Sequence, residues 1–544
     1  MNEALYNEWL RETACDKALH DELISIKGDD AEINDRFYCE LKFGTGGLRG
    51  KLGAGTNRMN VYTVARATRG LAKYLCDNYR NPSISIAYDS RNMSKEFAFL
   101  AADVMSESGV KVYIFDKLMP TPVLSFAVRH LKTSAGIVIT ASHNPKEYNG
   151  YKVYNEKGCQ ITDEAAKNIL HEIENSPYFG KINAKKDFIE ILGDEVPNAF
   201  SDAIQKYSAF DVRNKKTPKI VYTPLNGTGN IPVRKILERI GIKDVTVVPE
   251  QENPDGNFPT CPYPNPEEKA ALELAVRLAE KENADLVLAT DPDADRVGIA
   301  VKTSAGEYRL LNGNETGVLM EDFLFSLRKK REKKPVVVKT IVTSDMSEEI
   351  AAAYCADVKE VLTGFKYIGE TIDRLSETEE YVFGMEESYG YLVGTHARDK
   401  DAVSAVMIIA EMATYYLMQG KTLADKLNEL YEKYGYYKTS LKSISFPGEK
   451  GKAEMDTAIS ELRKHPWKEI CGEKVEEKDY SLGINGLPKS NVLSFTGENI
   501  KVTVRPSGTE PKLKLYYQVK ARDELTAEAL SKQVSSTVEE RFSK

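Results

Sequence analysis

The 544 residues carry 74 Lys and Arg against 82 Asp and Glu, a formal charge of −8, and 42% of them are hydrophobic. One core does not hold so long a chain, so three or four domains are expected, with enough apolar residues for sizeable cores. The acidic balance argues against a general binder of nucleic acid or anionic membranes and leaves room only for a local basic pocket.

The first 23 residues mix Glu, Asp, Arg and Lys with Leu5, Trp9 and Leu10. This pattern lacks an apolar signal region and predicts an amphipathic helix packed on the first domain. No window reaches the length of a membrane span, so a cytosolic protein is expected. Strand-like runs then alternate with helix-like ones. Strands are predicted at 83–88, 111–115 and 135–140, at 219–223, 245–248 and 286–290, and at 336–340, 358–362 and 381–383, with helices such as 267–281 and 402–418 between them. Such alternation predicts α/β units with parallel sheets covered by helices, and the strands fall into three batches. From 491 the pattern changes to close-set strands at 491–496, 500–504 and 512–519 and a helix at 524–541, an α+β unit with an antiparallel sheet. Domains are placed at 1–209, 210–311, 312–434 and 435–544.

Seven cysteines are scattered without a CxxC pair. Neither a zinc site nor a disulfide framework is indicated, and buried free thiols in a reducing compartment are expected. The basic run Lys329-Lys330-Arg331-Glu332-Lys333-Lys334 is explained as a solvated loop and is given no function.

Five segments carry candidate chemistry. Phe43-Gly44-Thr45-Gly46-Gly47-Leu48-Arg49-Gly50 lets backbone approach a ligand, with Arg49 as a charged arm, or is a bare glycine loop. Thr140-Ala141-Ser142-His143-Asn144-Pro145 follows the apolar run 135–139, and Pro145 keeps the chain from entering a helix at once. Ser142 therefore lies at the carboxyl end of a strand, where open α/β sheets place ligands. Its hydroxyl can carry a phosphoryl group or only bond its own loop. Asp291-Pro292-Asp293-Ala294-Asp295-Arg296 sets three carboxylates at alternate positions, able to converge on a hard cation or to form an acidic turn. An EF-hand is excluded, because Arg296 and Lys302 stand where Gly and Glu are required. In Gly384-Met385-Glu386-Glu387-Ser388-Tyr389-Gly390, Glu386 and Ser388 alternate and suit vicinal sugar hydroxyls, with helix capping as the other reading. Arg505-Pro506-Ser507-Gly508-Thr509-Glu510-Pro511 joins two strands; a guanidinium, two hydroxyls and a backbone nest can grip phosphate, or the run is a tight turn.

In this order the segments resemble the α-D-phosphohexomutase superfamily, the phosphoglucomutases and phosphomannomutases, and most of all its phosphoglucomutase branch. Tyr88-Asp89-Ser90-Arg91, Pro254-Asp255-Gly256-Asn257 and Thr363-Gly364-Phe365-Lys366-Tyr367 add to the likeness, which spans nearly the whole chain. The resemblance implies three tandem α/β units with mixed, mostly parallel sheets and a C-terminal α+β domain around one cleft. It implies that Ser142 is phosphorylated and that Asp291, Asp293 and Asp295 hold Mg²⁺ together with the Ser142 group. It places Arg49, Lys152 and His143 beside the serine. Thr45, Arg296, Glu386 and Ser388 would meet substrate, with Lys366 and Lys400 as weaker matches, and Arg505, Ser507, Gly508 and Thr509 would hold the substrate's phosphate. Two departures stand out: Tyr389-Gly390 replaces the Gly-His of many sugar loops, and Pro292 replaces a frequent Gly in the metal loop.

The implied activity interconverts glucose 1-phosphate and glucose 6-phosphate through a phosphoserine and a bound glucose 1,6-bisphosphate, with Lys152 as base if neighbouring cations lower its pKa. Phosphomannomutase or phosphopentomutase activity, a metal-dependent phosphatase and a non-catalytic sugar-phosphate sensor are the alternatives. A serine hydrolase and a P-loop kinase are disfavoured, since neither GxSxG around Ser142 nor GxxxxGK[ST] occurs. The expected partners are small sugar phosphates, in a monomer or weak homodimer.

Overall fold

The computed structural model describes residues 2–328, 332–446, 451–507 and 512–542, and at 485 the backbone only. The calls on Gly508 and Thr509, and on Lys329, Lys330 and Arg331 of the basic run, lie outside the described residues.

The first sheet has six strands: β1 (Leu48–Lys51), β2 (Ser83–Tyr88), β3 (Lys111–Phe115), β4 (Ala135–Ile139), β5 (Tyr148–Asn155) and β6 (Ile189–Leu192). Its order is β1-β5-β4-β2-β3-β6. The apolar centre β4-β2-β3-β6 is parallel, and β5 and β1 add an antiparallel edge. The second sheet contains β7 (Ile220–Thr223), β8 (Val245–Val247), β9 (Leu286–Thr290), β10 (Val297–Lys302) and β11 (Tyr308–Leu311), in the order β11-β10-β9-β7-β8. The third contains β12 (Lys334–Thr340), β13 (Asp357–Val361), β14 (Glu379–Glu386) and β15 (Gly390–Val393), in the order β13-β12-β14-β15. Both repeat the pattern of a parallel centre with an antiparallel edge.

The last unit begins with β16 (Tyr436–Ser445), continues through the small ribbon β17 (Glu469–Ile470) and β18 (Glu473–Lys474), and then forms β19 (Glu476–Asp479), β20 (Leu493–Thr496), β21 (Ile500–Pro506) and β22 (Lys512–Ala521). Its sheet runs β16-β22-β21-β20-β19, antiparallel throughout, with the helix Glu524–Glu540 packed on it.

The fold class is the expected one, but the antiparallel edge strands β1, β5, β10, β15 and β16 were not predicted. Of these, β1, β5 and β16 are short, glycine-bearing or largely polar and lack the apolar run that marks the central strands, whereas β10 and β15 are largely apolar and buried. The single amphipathic helix expected over the first 23 residues is instead two, Asn2–Glu12 and Lys17–Ser25, and a third, Asp30–Phe37, follows them. Asp16 and Asp29 cap the second and third, and such caps restart a helix wherever the side chain satisfies orphaned N–H groups. The three close around Trp9.

One continuous core runs through the first three units, and the helix Ala402–Leu417, apolar on nearly every face, lies at its centre against the helix Asn230–Ile240. The last unit keeps a separate core. All seven cysteines are free, but only Cys159 and Cys261 are buried; the expectation of buried thiols fails at Cys15, Cys76 and Cys355, which are exposed. No helix among the described residues is long and apolar enough to cross a membrane.

Candidate functional site

A cleft of about 540 Å³ is lined by all four units: His143 and Gln160 from the first, Arg296 from the second, Glu386, Ser388 and Lys400 from the third, and Arg505, Lys514 and Tyr516 from the last. Beneath His143 lies Ser142, in the turn that follows β4.

This turn is built tightly. The Ser142 N–H donates to Thr140 Oγ1 at 2.8 Å, and Ser142 takes a left-handed conformation, φ 52°, which L residues adopt only at a cost of roughly 1 kcal/mol. Arg91 holds it there. Its buried guanidinium donates to the carbonyls of Ser142 (3.2 Å), Pro145 (2.9 Å) and Tyr148 (3.1 Å), and to that of Asn144. Sequence reasoning quoted Arg91 within a family segment but gave it no role.

The Asp291–Arg296 segment is the hairpin between β9 and β10, turned back by Ala294 at φ 49°. Asp291 Oδ1 accepts the N–H groups of Asp295 (3.1 Å) and Arg296 (3.0 Å), while its Oδ2 accepts the Ser142 hydroxyl at 2.6 Å. Asp293 Oδ2 accepts from Thr121 Oγ1 and Lys152 Nζ, both at 2.8 Å, and the Asp293 carbonyl accepts the Thr121 N–H at 2.9 Å. Asp295 Oδ2 lies 3.2 Å from Lys400 Nζ and 3.6 Å from Lys152 Nζ. One oxygen from each of the three buried carboxylates falls within 4.8 Å of the others. Asp293 Oδ1 and Asp295 Oδ1 have no hydrogen-bond partner among the described residues. Orphaned buried carboxylate oxygens in an all-oxygen set fit a hard divalent cation, so the triad can hold a metal ion.

The charges respond to this crowding. Burial, then Asp293 and Asp295, push the Asp291 carboxyl well above the usual range. Burial also opposes ionisation of Asp293, but the Lys152 ammonium overcomes it and the carboxyl is held low. Lys152 sits on β5 opposite Val138 of β4. Burial acts to lower its pKa, yet Asp293 and Asp295 outweigh burial and raise it. The condition set for Lys152 as a base, a pKa lowered by cations, is therefore not met: its nearest neighbours are carboxylates. His143 behaves oppositely. Desolvation and the guanidiniums of Arg296 and Arg49 hold its imidazole neutral, with Nδ1 3.1 Å from Ser142 Oγ. Arg49 reaches the same turn from β1, donating to Asn144 Oδ1 at 3.3 Å.

Across the cleft, Glu386 ends β14 and accepts the Gly364 N–H at 2.8 Å. The turn after it docks on the aspartate hairpin: Tyr389, at φ 63°, accepts the Val297 N–H with its carbonyl at 3.2 Å, and Gly390 bridges Arg296. Arg296 pairs with Glu267. Lys400 is braced by Asp399 at 3.4 Å, itself bonded by Tyr154 (2.6 Å) and Gln160 (3.2 Å) of the first unit. Arg505 stands opposite Lys514 across β21 and β22. The Ser507 N–H donates to the Lys512 carbonyl at 2.7 Å, closing the base of that loop.

Lys366 and Thr45 lie neither on the cleft wall nor in the cluster around Ser142. Lys366 pairs with Asp163 at 3.2 Å and lies over the Tyr367 ring. Thr45 occupies the tip of the turn from Gly44 to Gly47, whose ends exchange backbone hydrogen bonds. Gly47 is required there: a Cβ would lie 1.8 Å from the Tyr151 carbonyl oxygen. Lys514 and Tyr516 were missed, although their alternation on a strand beside the phosphate-loop motif was the available signal.

Family models for phosphoglucomutase/phosphomannomutase match in four consecutive pieces: alpha/beta/alpha domains I, II and III at residues 40–178, 198–306 and 312–434, and the C-terminal domain at 454–532. A phosphoglucomutase of Staphylococcus aureus (strain MSSA476) is 37% identical over 91% of this chain and 92% of its own. That of Staphylococcus saprophyticus is 36% identical over 94% and 96%. Among solved structures, the exocytosis-sensitive phosphoprotein parafusin, a phosphoglucomutase from Paramecium in its open form, has a TM-score of 0.72 at 16% identity, covering 93% of this chain and 95% of that one. A phosphoglucomutase/phosphomannomutase family protein from Burkholderia thailandensis has a TM-score of 0.68 at 16% identity, covering 92% and 97%. At such identity these two structures speak to the fold alone.

Proposed function

Because the chain belongs to the phosphoglucomutase/phosphomannomutase family, we propose the following course for the reaction it catalyses, the interconversion of glucose 1-phosphate and glucose 6-phosphate through a phosphoserine and a bound glucose 1,6-bisphosphate. The observation that carries the reading is the Ser142 hydroxyl, 2.6 Å from Asp291 in a carboxylate triad braced by Lys152 and Lys400.

The resting enzyme carries phosphate on Ser142. Asp291, Asp293 and Asp295 would hold Mg²⁺, whose charge offsets that of the phosphoryl group. Lys152 and Lys400 stay charged beside the same carboxylates and serve as fixed cations. Arg505, Ser507, Gly508 and Thr509 bind the phosphate of glucose 1-phosphate, assisted by Lys514, so that the free 6-hydroxyl faces Ser142. A new P–O bond forms to this hydroxyl while the bond to Ser142 Oγ breaks. The proton shed by the sugar returns to Ser142 Oγ, beside which the neutral His143 stands ready to relay it.

Glucose 1,6-bisphosphate then turns end over end, and transfer back from its other phosphate restores the phosphoserine and yields glucose 6-phosphate. Glu386 and Ser388 bind hydroxyls that exchange places in this rotation. The last unit, with its own core, closes over the cleft and keeps water from the phosphoserine. Intact-mass measurement before and after addition of glucose 1,6-bisphosphate tests the reading. Starting from dephosphorylated enzyme, a gain of one phosphoryl group mapped to Ser142 is expected, with isomerisation and no release of inorganic phosphate. Net phosphate release would mark a phosphatase instead.

A further inference from the structure

The last unit touches the third unit through a compact ionic joint centred on Asp345. Asp345 follows β12 and precedes the helix Met346–Ala353. Its N–H donates to Gln518 Oε1 at 2.8 Å, and Gln518 Nε2 donates back to Asp345 Oδ2 at 2.8 Å. Lys501 donates to both carboxylate oxygens, at 3.0 and 3.3 Å. From behind, the wholly buried Lys339 lies 2.5 Å from Asp345, 3.1 Å from Glu348 and 3.5 Å from Glu360. Glu360 also reaches Lys501, at 3.5 Å.

Asp345, Glu348 and Glu360 lie close enough together to suggest a metal site. Lys339 and Lys501 already pair with them and offset two of the three negative charges, which suits a salt-bridged joint better. The partners on the far side are placed with equal economy. Lys501 and Gln518 face each other across β21 and β22, and four residues further along the same two strands Arg505 faces Lys514. Even spacing along a strand keeps side chains on one face. Lys501 and Arg505 therefore share a face, as do Gln518, Tyr516 and Lys514. One end of this face meets Asp345 and the other, about 13 Å away, lines the cleft. A second strut runs parallel: Asn314 accepts the Ser344 N–H (2.8 Å) and donates to Thr439 Oγ1 (3.0 Å), opposite Gln518 on β16.

We infer that Asp345 is a positioning residue: by gripping Lys501 and Gln518 it sets the pitch of the β21–β22 pair and so the reach of Arg505 and Lys514 towards the substrate's phosphate. The inference rests on the mutase reading for what is gripped, but not for the joint itself. The test leaves the Lys339–Asp345 pair intact and uses Lys501→Met, Gln518→Leu and the double variant. For the double variant, KM for glucose 1-phosphate is expected to rise about tenfold while kcat changes less than about twofold, the pattern of lost uniform binding. Lys501→Arg, which can still bridge both oxygens, should restore most of it. Backbone amides of the helix Met346–Ala353 and of residues 517–520 should exchange with deuterium faster in the double variant, whatever the substrate turns out to be. Unchanged KM, or a loss confined to kcat, overturns the positioning role even if exchange quickens; unchanged exchange overturns the joint. If the wild-type chain fails to interconvert the glucose phosphates, the functional reading falls, and exchange alone still decides the joint.

Discussion

The hydroxyl of Ser142 donates to Asp291 Oδ2 over 2.6 Å, although 149 residues separate them. The contact joins the carboxyl ends of β4 and β9, each a strand of its sheet's parallel centre. Two units thus meet end to end, at the place where open α/β sheets bind ligands. A phosphoryl group on the hydroxyl would sit directly against the carboxylate triad, which without a cation would repel it.

Ser142→Ala should abolish mutase turnover, by more than about a thousandfold, because the transferable group has no other anchor. The fold should persist, since the turn is held by Arg91 and Thr140 rather than by the hydroxyl. Mutase assay, circular dichroism and intact mass check this together. Retained turnover removes Ser142 from the mechanism.

Arg91 makes the turn rigid without lining the cleft. Arg91→Ala removes a guanidinium donor shared by four carbonyls and should lower kcat by roughly ten- to a hundredfold, the scale of a misplaced reacting atom. Added guanidinium ion should restore part of the rate. If kcat is unchanged, the turn does not depend on that side chain.

Divalent cation should stabilise the chain. At a concentration a hundred times its dissociation constant, Mg²⁺ adds about 2.7 kcal/mol, visible as a raised melting temperature and reversed by EDTA. The gain should shrink sharply in Asp295→Asn, which removes one of the two orphaned carboxylate oxygens. An equal gain in both proteins would place the ion elsewhere.

Glu411 predicts a pH dependence of stability. From the helix Ala402–Leu417 its carboxylate accepts the Ser208 hydroxyl (2.5 Å) and the N–H groups of Ala209 (2.7 Å) and Phe210 (3.1 Å), tying down the segment between the first two sheets. Burial nonetheless pushes its pKa up to about 7. The folded chain then binds this proton more tightly than the unfolded one. The contribution is whole below the ordinary carboxyl value near 4.5 and is lost as pH climbs through about 7. Relative to Glu411→Gln, wild type should lose up to about 3 kcal/mol across that window, measured by urea unfolding at each pH. A flat difference would contradict the assignment.

Reading the chain alone succeeded where the information is local. The central strands are apolar runs buried on both faces, and such runs declare themselves. The antiparallel edges did not, because β5 and β16 are largely polar and become strands only by pairing with β4 and β22. At the site, residue type and spacing marked Ser142, the three aspartates, Glu386 and Arg505 as candidates, and the family resemblance added Arg296. The partner of Lys366 was not legible, because a lysine's reach says nothing of what it pairs with, and here Asp163 of another unit takes it. Arg91 and Asp345 escaped because each acts on backbone or side chains remote in sequence.

Covalent order along the polypeptide was enough to decide which chemical groups are available and on which kind of element each is carried, since periodicity and turn chemistry act over a few residues. Packing alone decided which of them meet, and with what charge. Lys152 is an ammonium because two aspartates from another unit surround it, and His143 is neutral because two arginines and burial do. Both outcomes depend on charges brought within a few ångströms by the assembled units, a distance no linear spacing encodes.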